Sequence, residues 1–248
     1  MAAIVVIPAR YGSTRFPAKI LAAETGRPLV QHVVDQVRKC KRVKEIIVAT
    51  DDRRIVDALR PFETTCVMTS PAHQSGTDRI AEVMKSREEP IVVNVQGDEP
   101  EIEPEVIDHL IERLEIGPED MATAATPFPA QADVNDPNLV KVVIGHGHQA
   151  IYFSRSPIPF RRDPAFDQNA GYYLHLGLYA YRRDFLLKFA AWSPSPLELT
   201  EKLEQLRAIE HGRSIYVTKI NRATHGIDTP EQYAAFVKRW QTALTNTY

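Results

Sequence analysis

"IVVIPARYGSTRFPAK", Ile4–Lys19, begins as a run of β-branched residues and leaves it through a loop carrying Arg10, Arg15 and Lys19. An apolar run without alternation fits a strand covered on both faces, as in a parallel sheet. "EIIVAT" (Glu45–Thr50), "TCVMT" (Thr65–Thr69) and "IVVNVQ" (Ile91–Gln96) have the same character. Helical patterns lie between them: "LVQHVVDQVRKC" from Leu29, "DRRIVDAL" from Asp52 and "DRIAEVMKS" from Asp78. This alternation predicts an α/β fold with an open, doubly wound, mostly parallel sheet, whose ligands bind near the carboxyl ends of the strands.

The pattern changes after about Ala122. "VKVVI" (Val140–Ile144) and "QAIYFSR" (Gln149–Arg155) flank "GHGH", a hairpin turn signal, and "HLGLYAYRR" (His175–Arg183) predicts another strand. "SPIPFRRDPAFDQNAG" (Ser156–Gly171) predicts an exposed loop. A helix through "LTEKLEQLRAIEHG" (Leu199–Gly212), a strand at "SIYVTKI" and a last helix from Thr229 or Pro230 follow. The expectation is one domain over residues 1–248, with a smaller antiparallel lobe inserted at about 125–185.

The 248-residue chain is 44% hydrophobic and 25% charged, with a formal net charge of −2. Such a composition suits a globular core and supplies no global basic field for nucleic acid or an anionic membrane. Any anion must therefore be bound by a local cluster. Cys40 and Cys66 are too few for a disulfide framework or a zinc site. The amino-terminal residues lack a leader pattern, and no apolar run reaches the roughly 20 residues that cross a bilayer. A cytoplasmic protein without membrane or nucleic-acid partners is expected.

Three cations after the first strand point to phosphate, since Gly12 and Ser13 permit close backbone approach and the cations add charge-assisted hydrogen bonds. The loop is neither a Walker A sequence nor GxGxxG. An exposed loop whose cations are solvated or paired with nearby acids is the alternative. Asp98, ending "IVVNVQGD", is either a Mg²⁺ ligand beside the phosphates or a residue ordering the turn. Asp228 in "GIDTPE" fits an ordinary helix start before Pro230.

The ordered series "IPARYGSTRFPAK", "TGRPLVQHV", "ATDD", "HQSGTDR", "VNVQGDEP", "DPNLVKVV", "YFSR", "HLGLYAYRR", "SPLE", "LEQLR" and "GIDTPE" spans nearly the whole chain. It resembles the sugar-acid nucleotidyltransferases, in particular the 3-deoxy-manno-octulosonate (Kdo) cytidylyltransferases. Ala18 and Ile20 stand where that family prefers Gly and Pro.

The resemblance implies a Rossmann-like fold of the nucleotide-diphospho-sugar transferase type. It also implies CMP transfer from CTP to the anomeric hydroxyl of Kdo, with release of pyrophosphate, for lipopolysaccharide biosynthesis. Arg10, Ser13, Arg15 and Lys19 would hold the triphosphate, with Arg10 and Lys19 catalytic. Ser75, Gly76, Arg79 and Gln96 would contact base or ribose. Asp98 and Asp228 would jointly hold Mg²⁺ and share in catalysis. Arg155 would clamp the sugar carboxylate, with His175, Tyr179, Glu204 and Gln205 around the sugar. A homodimer formed through the antiparallel lobe is implied as well. Two alternatives stay open: another sugar acid (8-amino-Kdo or a sialic acid), and a nucleotide-binding module without chemistry.

Overall fold

The computed structural model describes residues 3–13, 15–162, 171–221 and 226–245, with the backbone alone of Leu244. The expected α/β fold is present, and the chain divides into two compact units.

One unit comprises Ala2–Glu89, Asn94–Glu105 and Thr224–Tyr248. Its strands β1 (Ala3–Ala9), β2 (Val43–Thr50) and β3 (Cys66–Met68) are parallel, in the order β3-β2-β1. Ala9 pairs with Thr50 and Thr50 with Met68, so the strand ends are level and the following loops open on one edge. Ile4 to Ile7 are fully buried, which is why this run carries no polar residue. Helices α1 (Leu29–Val37), α2 (Arg53–Leu59) and α3 (Gly76–Met84) follow β1, β2 and β3 in turn. On α1, Leu29, Val30, Val33, Val34 and Val37 recur at helical spacing and are all buried.

The last helix of the chain, α8 (Pro230–Thr245), belongs to this unit and docks by aromatic contacts. Tyr233 and Phe236 form a buried cluster with Leu29 and Ile227, and Phe16 and Trp240 pack against it. The Phe16 and Tyr233 rings lie 5.7 Å apart, and the Tyr233 hydroxyl accepts from Glu24 N at 3.0 Å. One apolar cluster thus anchors the cationic loop through Phe16 and the "GID" turn through Ile227.

The other unit contains Pro90–Val93 and Val106–Ala223. Its strand order is β4 (Ile91–Asn94), β8 (Tyr173–Arg182), β5 (Met121–Pro127), β9 (Ile215–Lys219). β5 runs antiparallel to β8 and parallel to β9. The hairpin β6 (Lys141–Ile144) and β7 (Ala150–Ser154) forms where expected. Gly145 N donates to Gln149 O across its turn, with His148 at φ +61°. Of the expected loop, residues 163–170 lie outside the described residues, and the described remainder is without helix or strand.

The structure adds three elements that the sequence reading passed over: α4 (Pro104–Ile116), β5 and α5 (Arg183–Ala191). Val106, Ile107, Leu110, Ile111 and Leu114 form a helical stripe in α4, and Arg182 closes its carboxyl end by donating to the Leu114 and Gly117 carbonyls. The single helix expected over Leu199–Gly212 is two helices, α6 (Pro196–Glu201) and α7 (Gln205–Glu210), separated at Lys202 with φ +54°.

The guanidinium of Arg155 accounts for this break. Nε donates to Glu201 O at 2.6 Å, Nη2 to Lys202 O at 3.2 Å and Nη1 to Pro137 O at 2.8 Å. The carbonyls at the end of α6 are satisfied there and not by a further turn. Three of its five N–H donors are thus held by main-chain oxygens, and one N–H on each Nη is left for the sugar carboxylate expected there. Arg155→Met is therefore expected to cost about 1–3 kcal/mol of stability, from charged hydrogen bonds lost at partly exposed carbonyls. Urea unfolding checks this; an unchanged midpoint would contradict it.

Candidate active site

The loop after β1 meets the residues that follow β4 at one place in the amino-terminal unit. Val95 N donates to Val6 O, which lays the "VQGD" segment beside β1. A Cβ on Gly97 would stand 3.3 Å from both Pro8 O and the Ile20 side chain, so a larger residue would require these neighbours to give by a few tenths of an ångström. Ile227 N donates to Asp98 O at 2.9 Å and brings the "GID" turn alongside.

Asp98 and Asp228 converge on one cation. Lys19 Nζ lies 2.5 Å from Asp98 Oδ2, 2.9 Å from Asp228 Oδ1 and 2.9 Å from the Ile227 carbonyl oxygen. Burial pulls the Lys19 pKa down, but the charges and hydrogen bonds of Asp98 and Asp228 outweigh it and leave the pKa raised. Arg15 Nη2 donates to Asp228 Oδ2 at 3.0 Å.

The two readings of Asp228 separate cleanly. Gln232 Oε1 accepts from the backbone N–H groups of Asp228 and Thr229, while the Thr229 hydroxyl accepts from Gln232 N. Thr229 and Gln232 thus cap α8, and the Asp228 carboxylate is spent on cations instead.

A cavity of about 330 Å³ holds this cluster and is lined by Arg10, Ser13, Arg15, Lys19, Gln96, Asp98 and Asp228. A second cavity, of about 210 Å³, shares Pro8, Arg10 and Gln96 with it and continues to His73, Ser75, Gly76 and Arg79. Ser75 caps α3 through a reciprocal pair, its hydroxyl accepting from Asp78 N and its own N–H donating to Asp78 Oδ2. The Arg79 guanidinium, expected at the base or ribose, donates to Asp51 Oδ2 at 2.8 Å and Thr69 Oγ1 at 2.5 Å. It forms the floor of the second cavity already paired.

Several residues at this edge escaped the sequence reading. Glu82 accepts from Ser70 N and contacts His73 Nε2, fastening the loop between β3 and α3. The Arg54 guanidinium, paired with Asp52, sits 3.4 Å over the Tyr11 ring and ties the cationic loop to α2. Glu99 is pushed up to about 8 by burial and by the charge of Asp98, so it is uncharged at neutral pH. None of these has a sequence motif; each is legible only as a contact. Ala18 adopts φ +55°, the left-handed conformation that explains a family preference for glycine there.

The oxygens around Lys19 fit a hard divalent cation, because two carboxylates and a carbonyl converge on one positively charged point. Among the described residues no group of three or more His, Cys, Asp or Glu side chains forms a metal cluster. A metal at Asp98 and Asp228 would therefore draw further ligands from substrate or water.

The remaining candidates lie in the other unit. His175 and Tyr179 share one face of β8 with ring centroids 5.4 Å apart, despite an irregular register against β5. His175 Nε2 is 3.0 Å from Thr123 Oγ1, whose hydroxyl is placed to donate to Leu178 O. Gln205 is 5% exposed, and its amide nitrogen has no hydrogen-bond partner among the described residues. A Glu204 carboxylate oxygen lies 3.5 Å from Arg207.

The family described as Cytidylyltransferase matches residues 4–215. A 3-deoxy-manno-octulosonate cytidylyltransferase of Geobacter metallireducens is 47% identical over 243 residues, covering 94% of this chain and 96% of that protein. One from Alteromonas mediterranea is 48% identical over 241 residues, covering 93% and 96%. The structure of CMP:2-keto-3-deoxy-manno-octonic acid synthetase complexed with CTP superposes with a TM-score of 0.91 at 38% identity, covering 98% of this chain and 100% of that one.

Desolvation lowers the His175 pKa to about 3. The unfolded chain then binds a proton from about pH 6.5 downward while the folded chain does not. Stability present above pH 6.5 should fall as pH drops toward 3, with an added slope of at most about 1.4 kcal/mol per pH unit. His175→Gln should flatten that limb in urea titrations at pH 7, 6 and 5, and parallel losses in both proteins would contradict it.

Proposed function

Because this chain belongs to the cytidylyltransferase family, we propose that it transfers CMP from CTP to the anomeric hydroxyl of Kdo, releasing pyrophosphate, in lipopolysaccharide biosynthesis. The observation that carries this reading is the convergence of Asp98, Asp228 and Lys19 within a cavity lined by Arg10, Ser13 and Arg15.

Arg10, Arg15 and the loop backbone around Ser13 neutralise and orient the triphosphate, since such transfers depend on positioning and charge more than on covalent help. Lys19 supplies positive charge beside the α-phosphate. The Kdo hydroxyl forms the new P–O bond as the bond to pyrophosphate breaks, and the hydroxyl proton passes to solvent. Asp98 and Asp228 would hold Mg²⁺, which when bound screens phosphate charge and lowers the pKa of a hydroxyl next to it. Ser75, Gly76 and Gln96 face the pyrimidine side of the nucleotide, with Arg79 holding that wall in place through Asp51 and Thr69.

For the sugar, Arg155, His175, Tyr179, Glu204 and Gln205 are the proposed contacts. The strongest support is the Gln205 amide, a buried donor without a partner among the described residues, which suits a sugar hydroxyl or carboxylate. Desolvation raises the Tyr179 pKa well above its ordinary value, so its hydroxyl remains a donor at any physiological pH. A cytoplasmic homodimer remains part of the proposal. Among the described residues no helix is long and apolar enough to cross a membrane.

Pyrophosphate release with CTP and Mg²⁺ tests the reading, comparing Kdo, 8-amino-Kdo, N-acetylneuraminate and no sugar. Release with Kdo alone is expected; CTP binding without release from any sugar would overturn it. Asp98→Asn and Asp228→Asn should each lower kcat at least ~100-fold while changing CTP affinity far less. Equal losses in both quantities would assign these residues to nucleotide binding only.

A further inference from the structure

Lys19 stands where the proposed chemistry puts something else. Its ammonium has three N–H donors, and Asp98, Asp228 and the Ile227 carbonyl account for all three. The side chain is only 12% exposed, so the cation is enclosed by these oxygens and not lying against them from solvent. They are also the donor set that suits a divalent cation, so Lys19 and a metal compete for one place. A lysine fully engaged there has no donor left for a phosphate.

We propose that Lys19 is the internal counter-ion of the Asp98–Asp228 site, and that it exchanges for the divalent cation when metal and nucleotide load, moving from the carboxylates to the phosphates. The inference rests on the reading of those aspartates as metal ligands. Without a cation between them, two adjacent carboxylates would repel, and one would part or take up a proton. The ammonium, within hydrogen-bond distance of both, offsets that repulsion. Exchange then replaces one positive charge at the aspartates with two and leaves Lys19 without an anion. The triphosphate is that anion, so metal and nucleotide each make room for the other, and the coupling is reciprocal.

The residue types suit this exchange. A lysine is a point charge on a flexible stem and can be handed from one anion to another, whereas an arginine fork is geometrically committed. Arg15, 65% exposed and also paired with Asp228, is a weaker second counter-ion that solvent already screens. The anchoring of Phe16 and the burial of Ile20 fix the backbone on either side of Lys19, so the exchange is confined to its side chain.

The test uses Mn²⁺ alone as probe, with binding to the nucleotide-free protein read by electron paramagnetic resonance. Lys19→Met, similar in length and uncharged, should bind Mn²⁺ at least ~10-fold more tightly than the wild type, because the competing cation is gone. Equal or weaker binding by Lys19→Met overturns the inference alone, provided that Asp228→Asn still loses the metal. No Mn²⁺ binding by any of these proteins, with or without CTP, overturns both the metal reading and this one. A wild-type measurement guards against a poorly folded variant. Acetylation of the Lys19 amine by acetic anhydride, followed by peptide mass spectrometry, should quicken several-fold with saturating Mg²⁺ and slow again when CTP is added. A rate indifferent to Mg²⁺ overturns the proposal.

Discussion

Two carboxylates held against one buried-side ammonium are the constraint around which the amino-terminal unit is arranged. Asp98 and Asp228 are far apart in the chain, and their approach is unfavourable unless a cation lies between them. The fold enforces that approach through short-range means. Gly97 lets the strand exit pass against Pro8, one main-chain bond joins Asp98 to Ile227, and an apolar cluster seats Ile227 beside Phe16. Capping of α8 by Thr229 and Gln232 frees the Asp228 side chain for the cluster. Hydrophobic burial, which is non-directional, thereby positions charges to within a hydrogen bond.

The edge of the parallel strands divides into two neighbouring cavities with different chemistry. One is lined by cations and carboxylates, the other by the capped start of α3 and by an arginine already neutralised by Asp51. In the proposed function the first cavity takes the phosphates, which cations attract, and the second takes the neutral ring. Glu99, kept uncharged beside Asp98, spares the site a third negative charge.

The parallel strands of the amino-terminal unit were legible because β1 and the latter part of β2 are apolar at nearly every position and α1 between them has a clear stripe. The cationic loop was legible from its place after β1, as was the hairpin at Gly145. What escaped was determined by contacts between distant segments. Arg155 was legible as a carboxylate fork by residue type, but its bonds to main-chain carbonyls at the end of α6 were not, and these contacts split a helix that periodicity alone would continue. Arg79 likewise has a partner, Asp51, whose approach no local pattern announces. The missed α4 had an adequate stripe, and its omission reflects the proline- and acid-rich "EPEIEP" that precedes it. Asp228 is the instructive residue: composition favoured a helix cap, and only the position of Gln232 shows that the capping is done without its carboxylate.

The central claim is that Asp98, Asp228 and Lys19 form one site in which a metal and a triphosphate take over the charges that now neutralise each other. Anomalous diffraction from crystals grown with Mn²⁺ and a non-hydrolysable CTP analogue tests it most directly. The account predicts a manganese peak within bonding distance of both carboxylates, with Lys19 Nζ on a phosphate oxygen. A peak bound to neither aspartate, or Lys19 still between them beside a bound nucleotide, would contradict it.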